Sequence, residues 1–349
     1  MKNPSLTTLF LAGLILSSCN NITPERIQIT SHQTGMTGTI RGINVVDEST
    51  VWISGSKGEF CTTSDGGENW TFGQVPGADS LDFRDVHGFS DELALLMSAG
   101  PGEASKIFKT FDGGKTWKLC YTNTEPKGFF DGMDFLDEQH GVLFSDPVDD
   151  RLNLLVTNDG GENWTRFHPE LVPKIAEGEY AFAASGTSIQ YDPSGGIWIA
   201  TGGSVARIWF TSELGKKWTI WDSPAIQGDG AEGLFSIAPR SAIRVVAVGG
   251  NYQEIHLAGA NVVKQLRVGD VSWEVPDGAT GVPYLECVKW INDSSLIACG
   301  PPGVWLSTDF GESWIEISQD GFHTMDVSET GKTGWLAGDN GAVSQILWR

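Results

Sequence analysis

Five side chains with binding or proton-transfer chemistry recur at one position of a repeated pattern: Arg41, Arg84, Asp131, Glu286 and His323, with Phe235 in a sixth copy. Each follows the first apolar residue of a short run, as in Ile40-Arg41-Gly42-Ile43, Phe83-Arg84-Asp85-Val86 and Phe130-Asp131-Gly132-Met133. The column continues through Leu234-Phe235-Ser236-Ile237, Leu285-Glu286-Cys287-Val288 and Phe322-His323-Thr324-Met325. Two arginines can hold a carboxylate or sulfate in bidentate fashion. A carboxyl such as Asp131 or Glu286 beside His323 can act as general acid and base. The same charges can equally pair with one another and fill a channel, so the column alone fits both a binding site and a structural core.

A second repeat sets the register of the first. Thr63-Ser64-Asp65-Gly66-Gly67-Glu68-Asn69-Trp70 is rewritten at Thr110 to Trp117 and at Thr157 to Trp164, with looser copies at Thr211 to Trp218 and Ser307 to Trp314. Its Asp can accept backbone N–H bonds, its glycines reach angles closed to other residues, and its Trp starts a return strand. Trp70, Trp117 and Trp164 recur every 47 residues, so the chain is a repeat array. Each unit reads as four short β runs without helical periodicity. The first is Ile40 to Val46, Val51 to Ser54, Glu59 to Thr63 and Trp70 to Gln74. In the fourth, an insertion over Pro169 to Glu179 precedes an inner strand expected over Phe182 to Tyr191. The seventh unit stops one strand short, and Ile27 to Thr30 supplies a lone β run that can complete it. The expected fold is all-β: a seven-bladed β-propeller of four-stranded blades, the last closed by the N-terminal strand, so that no sheet edge stays open.

Three segments follow: a leader over residues 1–18, a tether and closing strand over 19–35, and the propeller over 36–349. Lys2, the apolar run Leu6 to Leu16 and the sequence Leu16-Ser17-Ser18-Cys19 look like a bacterial lipoprotein signal, with Cys19 lipidated. An ordinary secretory leader is the alternative. The expected setting is therefore the cell envelope, periplasmic or surface-facing, with the lipid as the sole membrane contact of a monomeric protein. A net charge of −21 argues against sequence-independent binding to nucleic acid or to an anionic membrane surface. Cys287 and Cys299 flank a hairpin turn at Asn292-Asp293-Ser294, where either a disulfide or two buried thiols would fit. The acidic run Asp146-Pro147-Val148-Asp149-Asp150 could bind calcium but lacks regular ligand spacing, which favours a solvated turn. No cofactor motif is present.

The repeated turn resembles the Asp-box (BNR repeat) of sialidases, sortilin-type receptors and the photosystem II stability/assembly factor. Bacterial propellers similar to that assembly factor are resembled more widely, through Phe83-Arg84-Asp85-Val86, Gly100 to Ser105, Ser145-Asp146-Pro147-Val148, Glu179 with Ala181 to Thr187, Thr201-Gly202-Gly203 with Arg207, and Gly321-Phe322-His323. These matches span most of the chain from Arg41 onward. Asn251 stands where that group usually has Asp, and Leu285-Glu286 where it has Arg-Ser. The resemblance implies a binding or assembly role, or a carbohydrate-active enzyme. Sialidase chemistry itself is excluded, since Arg41 is followed by Gly-Ile-Asn and not Ile-Pro. Gly100-Pro101-Gly102 lacks the third glycine of a dinucleotide loop. The ligand-binding candidates are thus Arg41, Arg84, Asp85 and Asp146, with Ser185, Arg207 and Tyr284. The acid/base candidates are Asp131, Glu179, Glu286 and His323. The expected function is an envelope-anchored module that binds a protein segment or a glycan at the mouth of its central channel. The alternative is a glycosidase- or lyase-like enzyme working at the same polar funnel.

Overall fold

The computed structural model describes residues 22–267 and 271–348, so the leader and Cys19 lie outside the described residues. Strands account for nearly all regular structure, and the helices among these residues are single 3-10 turns. Seven antiparallel sheets follow one another along the chain. The first blade is Ile40–Val45, Val51–Gly55, Glu59–Thr63 and Thr71–Gln74. The seventh is Thr324–Val327, Thr333–Ala337 and Val343–Trp348, with Ile27–His32 as its fourth strand. That strand pairs antiparallel from Ile27 opposite Trp348 to His32 opposite Val343, which closes the ring. Ile27, Ile29 and Trp348 then pack against Met325, Leu336 and Ile346.

The core lies between neighbouring blades. Strands buried on both faces, such as Val51–Gly55 and Ala94–Ser98, stack sheet on sheet. Trp52, Phe83 and Leu96 fill the space between the first two blades; Phe144, Ile199 and Trp209 fill the space between the third and fourth. The repeated turns are tied by one hydrogen-bond set. Thr63 Oγ1 donates to Asp65 Oδ1 at 2.8 Å and accepts from the Gly67 N–H at 3.1 Å, while Asn69 N donates to Asp65 Oδ1 at 2.9 Å. The same bonds recur at Thr110, Asp112 and Thr116, at Thr157, Asp159 and Asn163, and at Ser307, Asp309 and Ser313. In the fourth blade Glu213 takes the Asp position, and Thr211 Oγ1 donates to its backbone carbonyl instead.

One expected strand is not formed as such. In the fourth blade only Ile189–Tyr191 is strand, and residues 181–188 leave the sheet. Glu179–Tyr180 pairs instead with Gly202–Gly203, which extends the fifth sheet to six strands. The physical reason is long-range, because residues 183–187 run across the central channel and bond to the inner edges of five blades. Cys61, Cys120, Cys287 and Cys299 are free thiols, with Cys287 directly opposite Cys299 across the sixth blade's first strand pair. Asp149 and Asp150 form a tight hairpin tip with φ of 54° and 61°. Among the described residues no three His, Cys, Asp or Glu side chains gather as a metal site. No helix among them is long and apolar enough to cross a membrane.

Candidate functional site

The recurring side chains owe their direction to a recurring backbone defect. Strand pairing slips between Ile40 and Gly42, between Phe83 and Asp85, between Phe130 and Gly132, and between Leu234 and Ser236. The extra residue at each slip is Arg41, Arg84, Asp131 or Phe235. The sixth and seventh blades repeat the geometry at the strand start. Glu286 N donates to the carbonyl of Cys299, the partner of Cys287, and His323 N donates to that of Ala337, the partner of Thr324. A bulge turns its extra side chain out of the regular alternation. Six blades use it to aim one side chain each at a common mouth.

All six line one open pocket of about 470 Å³, together with Phe129, Asp146, Phe182, Tyr252, Ile255, Tyr284 and Pro301. One wall is aromatic. Phe182 stacks on Phe235 with ring centroids 3.9 Å apart, Tyr284 meets Phe235 edge-on at 4.9 Å, and Tyr252 stands over them 46% exposed. The floor is the channel plug. Ala184 O accepts from Arg41 Nη1 at 3.1 Å and Ala183 O from Arg84 Nη1 at 3.2 Å. Ser185 Oγ donates to Glu286 O at 2.8 Å, Thr324 Oγ1 donates to Ser185 O, and the Thr187 hydroxyl meets Ser236 Oγ at 2.7 Å. Gly186 sits on Asp85, whose carboxylate accepts from Val86 N and Met133 N, each at 2.8 Å.

Glu286 is the hub of the charged wall. Its carboxylate accepts from Arg41 Nη1 at 2.9 Å, His323 Nδ1 at 2.8 Å and the Tyr284 hydroxyl at 3.0 Å. His323 Nε2 lies 3.2 Å from Asp339 Oδ1, so both of its ring nitrogens face carboxylates. Burial, and then the Glu286 charge, push the Tyr284 phenol well above its usual range. Across the pocket Asp131 is buried at 1% exposure, and its Oδ2 has no hydrogen-bond partner. Burial, and then the nearby Asp146 carboxylate, push its carboxyl well above the usual range. Asp146 is itself pushed up to about 6 by burial.

Several sequence candidates fall elsewhere. Glu179 and Arg207 do not reach the mouth. They form a buried ion pair that ties the insertion to the fourth blade, where Glu179 also accepts from Thr201 Oγ1, Trp209 Nε1 and Ala176 N. Asp85 and Ser185 lie beneath the pocket, inside the plug's hydrogen bonds. Phe129, Phe182, Tyr252 and Asp339 escaped the sequence reading. Tyr252 directly follows Asn251, the position where the resembled group usually has Asp, and Phe182 lies within the resembled segment Ala181 to Thr187.

The Asp146 carboxyl gives a measurable pH signature. Its folded value lies above the unfolded one, so its favourable contribution is complete below pH 4 and is lost as pH rises through about 6. Asp146→Asn is expected to be more stable than the parent at pH 7.5, by roughly 1–3 kcal/mol. The difference should vanish near pH 4, as followed by urea denaturation across pH.

No protein-family model matches the chain. Over 161 residues it is 26% identical to the photosystem II assembly lipoprotein Ycf48 of Synechococcus sp. (strain CC9902). The chain is similar to Ycf48. That match covers 45% of this chain and 41% of the relative, so the chain spans about two fifths of the curated protein it matches. Among solved structures, a Ycf48 described as bound to a D1 peptide superposes with a TM-score of 0.65 at 15% identity, covering 96% of this chain and all of that one. A streptogramin B lyase superposes with a TM-score of 0.63 at 12% identity, over 93% and 99% of the two chains. A likeness to an assembly factor and to a lyase at such identities speaks for the propeller fold alone.

Proposed function

We propose that this propeller is a non-catalytic docking module that receives a segment of another protein at the mouth of its central channel. The observation that carries the reading is the shape of the mouth: an open cup, aromatic on one wall and closed below by the plug. A cup of this kind can bury a side chain and leave the rest of a segment on the rim. The likeness to Ycf48, one solved form of which is described with a bound peptide, favours the same reading. Arg41 and Arg84 position the floor, and each retains further N–H groups for a segment's backbone carbonyls. A lipid on Cys19 would hold the module at an envelope membrane; a Cys19→Ser chain that still took up labelled fatty acid would sink that part.

The enzymatic alternative has one specific support, the Glu286–His323 pair beside an open pocket. Against it, the hydrogen bonds of the pair are spent within the wall, Glu286 on three donors and His323 on two carboxylates. The deciding experiment presents the full chain, in mild detergent, to peptide and glycan arrays in parallel. Retention of peptides, weakened about tenfold or more by Tyr252→Ala, is the expected result. Retention of glycans alone, or their turnover, would replace docking by the enzymatic reading.

A further inference from the structure

Charge accounting at the mouth gives an unexpected sign. The sequence places two arginines there, yet each is already committed. Arg41 pairs with Glu286 and holds Ala184 O; Arg84 pairs with Asp82 at 2.8 Å and holds Ala183 O. His323 lies between Glu286 and Asp339. What remains on the pocket wall is Asp131, with Oδ2 buried and unpartnered, and Asp146, which accepts from Ala181 N at a long 3.4 Å. Neither takes part in an ion pair among the described residues. An unpaired carboxyl in such a position costs free energy that a cation with N–H donors would recover.

We propose that the pocket takes a cationic side chain, the ammonium of a lysine or the guanidinium of an arginine on a partner protein, seated against Asp131 and Asp146. The proposal rests on the docking reading and gives it a chemistry. The aromatic wall suits the rest of such a side chain: Phe182, Phe235 and Tyr252 cover its methylenes, and their ring faces attract the charge. Phe129 already carries Arg84 at 5.7 Å from its ring centre, so cation and ring coexist at this rim. A second cavity shares Asp146 with the first and is lined further by Asp149, Asp150 and Tyr180, with Lys127 as its one lysine. At the hairpin tip Asp150 is ion-paired with Lys174, which leaves Asp149 to extend the negative field toward the residues that flank the inserted side chain, and the net charge of −21 steers basic segments toward the protein as a whole. The partner is therefore a basic, extended protein segment.

The test uses the full chain in mild detergent and a random library of twelve-residue peptides, acetylated and amidated so that termini carry no charge. The bound fraction should be enriched in Lys and Arg roughly tenfold over the input. Asp131→Asn and Asp146→Asn should each abolish the enrichment, whereas Asp309→Asn, in a distant outer turn, should leave it intact. Thermal melting checks each variant. Were Asp131→Asn unable to fold, the partly exposed Asp146 position would carry the test. Peptides bound without preference for basic residues would overturn the proposal and leave docking standing. A basic preference unmoved by both variants would place binding elsewhere on the acidic surface and overturn it too. Spermine competing as tightly as the best peptide would mean a free polyamine site and not a protein partner. No peptide bound at all would remove the docking reading itself.

Discussion

Glu179→Ala is expected to destabilise the propeller by about 3–5 kcal/mol, the usual result of removing one member of a buried ion pair. The side chain is fully enclosed and serves four groups at once. It pairs with Arg207, whose Nε donates at 2.9 Å, and accepts from Thr201 Oγ1 at 2.6 Å, Trp209 Nε1 at 2.9 Å and Ala176 N at 2.8 Å. Those partners belong to the insertion and to the second and third strands of the fourth blade, so one carboxylate ties three segments together. Its loss strands the Arg207 guanidinium, whose side chain is 14% exposed over the Trp209 ring. Guanidinium chloride denaturation of Glu179→Ala, Arg207→Ala and the double variant would measure the coupling. The double variant should be less destabilised than the sum of the singles, because each single leaves its partner's charge buried alone. A Glu179→Ala chain that melts like the parent but loses peptide or glycan binding would instead make Glu179 part of the site.

Much of the fold was legible because local chemistry repeats. The turn around Asp65, Asp112 and Asp159 fixes where each blade's third strand ends, and the 47-residue spacing then fixes the other strands. The ring of Arg41, Arg84, Asp131, Glu286 and His323 followed from that register, since a bulge at a constant place aims them all alike. What stayed hidden depends on partners far away in sequence. Ala-Phe-Ala-Ala-Ser-Gly-Thr-Ser over 181–188 reads as strand from composition, yet its contacts lie with Arg41, Arg84, Ser236, Glu286 and Thr324. Glu179 and Arg207 stand 28 positions apart, and no local pattern announces their pairing. The arginines were visible, but their commitment to Glu286 and Asp82 was not. That commitment leaves Asp131 and Asp146 as carboxyls on the pocket wall without an ion pair among the described residues.

Gly186→Ala tests the plug, and it is expected to cost about 2–4 kcal/mol through two separable terms. The backbone there has φ of 73°, where a side chain is strained by roughly 1–2 kcal/mol. A Cβ would also stand 2.4 Å from the carboxyl carbon of Asp85. Asp85 cannot give way, because both of its oxygens are bonded to backbone N–H groups in fully buried surroundings. Gly77 offers the control, with φ of 75° and nothing within 4 Å of its added Cβ, so Gly77→Ala carries the backbone term alone. Calorimetry on the pair isolates the packing of the plug on the second blade. If Gly186→Ala lost more than Gly77→Ala, displaced plug carbonyls at Ala183 and Ala184 would also release Arg84 and Arg41 into the pocket. The freed cations would then compete with a basic segment for Asp131 and Asp146, and peptide affinity should fall together with stability. Equal melting of the two variants would mean that Asp85 does not support the plug, and the cup would lose the floor on which the docking reading depends.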